Sequence, residues 1–229
     1  MNYVLGIDTS STELGIGLAL GTHPVMAVSR YLRNSHAEHI AQCMDYLLKA
    51  NNVSAKDISH AGIATGPGSF TGLRIGIAFL KGFFLCRNAH VMQVSSLESV
   101  AGSWHVNGRT IVCASDARNG QVFWARFNKA NGATARLTGD ALIPAHKFTS
   151  VISDSDIVLT DTLGYAKSAV FNFLKDRPDA YSVQDYPLQR GLSCAMIAAK
   201  KIEDAGVWKT AGQIVPEYLS SIPIEKKKV

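Results

Sequence analysis

The residues with the types and spacing for chemistry begin with Ala64-Thr65-Gly66-Pro67-Gly68-Ser69-Phe70-Thr71-Gly72-Leu73-Arg74. A strand-like run, His60 to Thr65, feeds this stretch, and an apolar run from Leu73 to Leu85 follows it. Strand, glycine-rich turn and helix in that order can aim backbone N–H groups at a phosphate. The details match no standard nucleotide cradle. A Walker loop needs Gly-Lys-Ser or Gly-Lys-Thr after its spacer, but Gly72 is followed by Leu73 and Arg74. The dinucleotide fingerprint fails on spacing, Gly66-x-Gly68-x-x-x-Gly72, and Pro67 withdraws a backbone donor. Arg74, in the first turn of the following helix, is the side chain left for anion contact.

Two acids form the next group. Asp8 and Asp116 each close a β-rich run and open a polar turn. As a pair they could hold Mg²⁺ and position water or phosphate between two lobes. The candidate nucleotide or anion contacts are therefore Asp8, Ser10, Gly66, Gly68, Ser69, Arg74, Asp116 and Arg118. The competing reading is local: an Asp at a strand-to-turn junction accepts nearby backbone hydrogen bonds without any ligand. Arg118, two residues after Asp116, is also placed to pair with it. His36 and His39 lack the i, i+4 spacing and third ligand of a helical zinc site, so cap or surface histidines are expected. No Gly-x-Ser-x-Gly elbow is present.

Around these residues the pattern is mixed α/β. Tyr3 to Ile7, Leu14 to Leu20 and Val25 to Leu32 read as an antiparallel meander with Asp8 at its first turn. Gly15 and Gly17 within the second strand point to close backbone approach or a bulge. A helix starts at about Ser35, with Glu38 spaced for a capping box, and carries Ile40, Cys43, Met44, Leu47 and Leu48 on one stripe. After the glycine loop and second helix come a strand near Val91 to Val94 and a helix from about Leu97 to Trp104. The pattern restarts beyond Asn107-Gly108: Thr110 to Asp116 is again a strand ending in an acid, followed by a polar turn and a returning strand, Gln121 to Phe127. This predicts two duplicated lobes, 1–107 and 108–229. The second contains a strand at Ile157 to Thr160, a turn at Gly164, a helix near Lys167 to Leu174, a last helix from about Leu192 to Ala205 and an extended tail from Pro216. The last helix and tail are candidates to pack back on the first lobe.

The second helix is apolar around nearly its whole circumference, from Leu73 through Leu85, and Gly72, Gly76 and Gly82 would let another backbone approach. Such a helix is buried on more than one side. Either it is the central core helix, or its outer face and the Ser35–Ala50 stripe meet a partner chain. In the latter case Ile40, Met44, Leu47, Leu73, Gly76, Ile77, Leu80 and Phe84 are the expected interface residues.

Composition narrows the setting. The chain has 229 residues, 47% hydrophobic and 18% charged, ample for a packed core. No apolar stretch reaches a membrane span, and Met1-Asn2-Tyr3-Val4 has no basic flank, so no signal peptide is expected. Cys43, Cys86, Cys113 and Cys194 are scattered, as buried free thiols in a reducing cytosol would be. The net charge of +5, part of it in Lys226-Lys227-Lys228, permits RNA contact without arguing for it.

Several stretches together resemble the TsaB family of glycoprotease-like proteins. They are Gly-Ile-Asp-Thr-Ser-Ser near the start, His36, Thr-Gly-Pro-Gly-Ser-Phe-Thr-Gly-Leu-Arg-Ile-Gly, Ser-Ser-Leu-Glu, Asp-Ala-Arg-Asn-Gly-Gln-Val-Phe, and Pro-Glu-Tyr-Leu near the end. The resemblance implies an ASKHA fold, that of actin, Hsp70 and sugar kinases, with two duplicated lobes of mixed sheets flanked by helices. It implies a cytoplasmic, non-catalytic subunit of the complex that forms threonylcarbamoyladenosine in tRNA. The implied partners are a TsaD-like paralogue that carries the metal and the chemistry, and a TsaE-like ATPase. Homodimers through the first-lobe helices, and tRNA met only through the complex, are implied as well. No tightly bound cofactor is expected, with ATP or ADP and Mg²⁺ as candidate ligands at the partner interface. The contrasting reading is an ATP-dependent phosphotransferase or ATPase of the same fold, resting on Asp8, Asp116 and the glycine loop. A metalloprotease has no complete ligand set here.

Overall fold

The computed structural model describes residues 2–32, 35–130, 133–160, 178–182, 188–203 and 208–219. The turn at Gly164, the Lys167–Leu174 helix, the end of the last helix at Ala205 and the Lys226–Lys228 tail lie outside them.

The first sheet is built from β1 (Tyr3–Asp8), β2 (Glu13–Leu20), β3 (His23–Tyr31), β4 (Ile58–Gly66) and β5 (His90–Ser95), in the order β3-β2-β1-β4-β5. β1 runs antiparallel to β2 and parallel to β4, and β4 is parallel to β5. β1 is apolar on both faces, as a central strand covered on both sides must be. Leu5 and Ile7 face a core shared with α1 (His36–Ala50) and α2 (Phe70–Phe83), the crossovers that lead into β4 and β5. Val4 joins Ala19, Ala64 and Val94 against α4 (Arg190–Glu203), on the opposite face.

Three glycines explain how α4 sits there. Gly17, Gly6 and Gly62 are in register across β2, β1 and β4. A Cβ on any of them would run into the α4 backbone at Gly191, Leu192 or Cys194. The side-chain-free stripe lets the helix lie directly on the sheet, and this fixes where Arg190, its first residue, is presented. The close approach expected at Gly17 is therefore real, and its partner comes from the far end of the chain.

The second sheet repeats the plan. β6 (Arg109–Arg118), β7 (Gln121–Ala130) and β8 (Ala133–Arg136) form the meander, with β10 (Ile157–Thr160) and β11 (Ala180–Ser182) parallel on the other side of β6. The order β8-β7-β6-β10-β11 matches β3-β2-β1-β4-β5 strand for strand, with β9 (Ala141–Pro144) added on β7. α3 (Ser96–Ser103) buries Leu97, Val100 and Ala101 against this sheet, while α4 returns to the first. The lobes thus exchange helices, and α3 and α4 pack on each other between them. The Ser35 capping box does not form: Ser35 is the N-cap of α1, but the Glu38 N–H reaches its carbonyl at 3.2 Å instead of its hydroxyl. Among the described residues no helix is long and apolar enough to cross a membrane.

Candidate functional site

A cavity of about 830 Å³ opens between the two meanders. Its walls are the Ser10–Thr12 turn after β1, the Pro67–Gly72 turn entering α2, the start of α3, the Ser115–Arg118 end of β6, and Arg190. The duplication places the two strand-end acids around this cleft, but in unlike environments.

Asp8 is fully buried beneath the cleft and every side of its carboxylate is engaged. Oδ1 accepts the Ser10 amide at 2.9 Å and the Ser10 hydroxyl at 2.6 Å. Oδ2 accepts the Ser99 hydroxyl from α3 and Arg190 Nε at 3.1 Å. The same guanidinium donates to Ser11 Oγ at 2.5 Å and Ser10 Oγ at 2.7 Å. One cation has taken the acid and the turn hydroxyls that a magnesium ion or phosphate would need. A buried ion pair persists only when each partner's remaining capacity is satisfied, and here it is. The residues therefore do not fit a metal at Asp8. Among the described residues no three His, Cys, Asp or Glu side chains converge for a metal.

A second buried carboxylate flanks the pair. Burial pushes Glu13 up to about 7, although the Arg190 guanidinium and the Ser29 hydroxyl pull the other way. The Ser29 hydroxyl donates to Glu13 Oε1 at 2.8 Å. His36 is also buried, with Nε2 at 3.4 Å from the Glu13 carbonyl, in a helix-start role and not as a ligand.

The glycine loop spends its polar groups on the chain itself. Ser69 caps α2 by accepting the Gly72 amide at 3.1 Å, and its own N–H donates to the Ser10 carbonyl at 2.7 Å. The Thr9 hydroxyl donates to the Gly72 carbonyl at 2.8 Å, and the Ser96 hydroxyl donates to the Pro67 carbonyl. Gly68 combines φ +156 with a position where a Cβ would strike the Ser10 carbonyl. The loop is a bracket that grips the β1–β2 turn, and Gly66, at its outer end, lies under the Glu217 carbonyl.

Asp116 does what the local reading expected: its Oδ1 accepts the Arg118 amide at 2.7 Å, within a hairpin turn where Arg118, Asn119 and Gly120 all have positive φ. Asp116 and Arg118 line the cleft, as do Ser10, Gly68 and Ser69. Arg74 does not. It lies outside, 3.7 Å over the Phe70 ring and donating to Tyr218 Oη at 3.1 Å.

The eight apolar positions expected at a partner surface need correction. Ile40, Met44, Leu47, Leu73, Gly76, Ile77, Leu80 and Phe84 are all buried within this chain. Both helices turn their apolar stripes onto the first sheet, α1 over β2 and β3 and α2 over β4 and β1, and Gly76 is the notch that receives the Thr9 side chain. The outer faces carry other groups, including Tyr46, 60% exposed, and Gly82, which has nothing within 4 Å of its Cβ direction. Arg190, Ser99, Ser11 and Glu13 escaped sequence reasoning. A helix-start arginine followed by glycine was the one available hint.

Two duplicated α/β lobes of this strand order, facing each other across a cleft, define a protein of the ASKHA class. Residues 21–173 match the family described as TsaD: tRNA N6-adenosine threonylcarbamoyltransferase, and the chain belongs to that family. Its curated relatives include TsaB proteins. It is 29% identical over 187 residues to the tRNA threonylcarbamoyladenosine biosynthesis protein TsaB of Bacillus subtilis (strain 168), covering 82% of this chain and 73% of that one. With the TsaB of Escherichia coli (strain K12) it shares 34% over 128 residues, 55% of each protein. Among solved structures, YeaZ from Pseudomonas aeruginosa superposes with a TM-score of 0.78 over 96% of this chain and 100% of that one, at 23% identity, a likeness of fold.

Proposed function

We propose that this chain is a non-catalytic subunit of the machinery that forms threonylcarbamoyladenosine in tRNA, supporting a TsaD-type transferase. The observation that carries the reading is the Asp8–Arg190 pair. The strand-end acid, which would have to be free to hold Mg²⁺ for ATP chemistry, is closed off by four protein hydrogen bonds. The names of the curated relatives support the pathway, and the family match supports a TsaD-type partner. A TsaE-type ATPase, a homodimer in the absence of the partner, tRNA met through the complex and a cytoplasmic setting complete the proposal. ATP or ADP with Mg²⁺ is proposed only at the boundary with the partner, and no step of the role passes through a nucleotide held by Asp8.

The open cleft, with Asp116 and Arg118 on its wall, favours one competing reading: an ATP-dependent phosphotransferase or ATPase of the same fold. Isothermal titration of the isolated chain with Mg-ATP separates the two. The accessory reading predicts no micromolar binding and no turnover. Micromolar binding that disappears in Asp8→Ala would favour the enzyme.

A further inference from the structure

The stretch Trp208–Leu219 runs along β5, the outer strand of the first sheet. Its middle is anchored by Ile214, fully buried in the core, and by Ala211. Its far end is tied by the Glu217 amide to the Thr65 carbonyl at 2.7 Å and by Tyr218 stacked on Phe70 at 5.2 Å. The near end is held differently. Lys209 and Val91 exchange both backbone hydrogen bonds, at 2.8 and 2.9 Å, in a single isolated bridge on the β5 edge. Lys209 Nζ donates to Gln93 Oε1. Trp208 lies edge-on to two imidazoles, 5.2 Å from His60 and 6.3 Å from His90.

Those imidazoles are paired by the sheet. His60 and His90 are register partners on parallel strands, and their rings stack at 5.1 Å. The Ser59 hydroxyl lies 2.9 Å from His60 Nδ1. We propose that Trp208–Thr210 is a latch, closed on the β5 edge while the His60 imidazole stacked on His90 is neutral and opened when His60 takes up a proton. Opening would bare the Val91 amide and carbonyl, an unpaired strand edge of the kind that accepts another extended segment.

Burial under the latch, and next the neighbouring His90 ring, hold the His60 imidazole below its ordinary range. Because the folded-state value is lowered, the neutral form is favoured in the closed state. The latch is fully stabilised above the ordinary histidine value of 6.5 and loses that stabilisation as pH falls below it. Among the described residues, the other charges packed there are Lys200 and Lys201 in the last turn of α4, Lys209 on the latch, and Glu217 further along the same stretch, whose Oε1 accepts Gln93 Nε2 of β5 at 3.1 Å. Asp57, at the head of β4, already accepts the Ser54 amide at 2.7 Å. No described carboxylate is set to hold an imidazolium in place.

The test uses the full chain at about pH 7.5 and about pH 5.5, either side of histidine titration. Trp208 emission is isolated by subtracting the Trp208→Phe spectrum, and exchange at the Val91 and Lys209 amides is corrected for intrinsic pH dependence. At the acid pH the emission should move to the red and both amides should lose protection, while β1 amides keep theirs. The His60→Gln/His90→Gln variant should show neither change. His90→Gln alone, at an exposed position, should move the midpoint to higher pH, since it removes the charge that opposes His60 protonation. An unchanged wild type, the same transition in the double variant, or a midpoint that stays or falls in His90→Gln would overturn the latch.

Discussion

Arg190 and Asp8 are separated by 182 positions in the chain and by 3.1 Å in the fold. The contact exists because three glycines in register let α4 rest on the first sheet with its first residue at the end of β1. Removing the guanidinium strands a buried carboxylate, which costs far more than the pair itself contributes. Arg190→Ala should therefore lose roughly 3–5 kcal/mol in urea unfolding. Asp8→Asn/Arg190→Met, which removes both charges, should recover much of that loss. A single variant as stable as the wild type would contradict the lock.

The glycine stripe makes its own prediction. A methyl group at Gly17 or Gly6 must push α4 off the sheet, so Gly17→Ala or Gly6→Ala should cost about 1–3 kcal/mol, as overpacking does. Gly82→Ala, in the open on α2, should instead gain about 0.5 kcal/mol from helix propensity. Chemical denaturation of the three variants gives the comparison, and equal effects at all three would refute the stripe.

Glu13 links stability to pH. Its folded-state value is raised from 4.5 to about 7, so its contribution is fully present below 4.5 and is lost as pH rises through about 7. Glu13→Gln mimics the protonated form at every pH. Its stability relative to wild type should increase by on the order of 3 kcal/mol between pH 5 and pH 8. Urea midpoints at the two pH values measure this, and a constant difference would contradict the raised value.

The corrected placement of α1 and α2 alters how a partner surface should be probed. Leu80→Glu puts a charge into the core and should unfold the lobe. Tyr46→Glu and Gly82→Glu alter only outer faces and should leave circular dichroism unchanged and melting no lower than in the wild type. If the partner docks on these faces, the two outer variants should lose co-purification with a TsaD-type protein while remaining folded. Retained co-purification in both would remove these faces from the interface.

What the sequence could tell tracked how local the physics was. The strand–acid–turn–strand unit is written within 18 residues each time, Tyr3–Leu20 and Thr110–Phe127, so both copies were legible. The glycine loop was legible as a loop, but not its task, because the groups it grips, Thr9 and Ser10, lie some sixty positions earlier. The apolar α2 showed that it must be buried without showing by what, and the sheet beneath it proved the answer. Gly17 pointed to a close approach, but its partner, and the part played by Gly6 and Gly62, emerge only when sheet register aligns the three. Arg190 looks like any helix-start arginine until the fold brings Asp8 to it.

The proposed accessory role puts the chemistry in a partner and not in this chain. The direct measurement is formation of threonylcarbamoyladenosine in tRNA by purified components, with each protein omitted in turn. An accessory subunit gives no product without the TsaD-type partner, product in the full set, and a marked loss when this chain is left out. Product formed by this chain in the partner's absence, or full activity without this chain, would rule that role out.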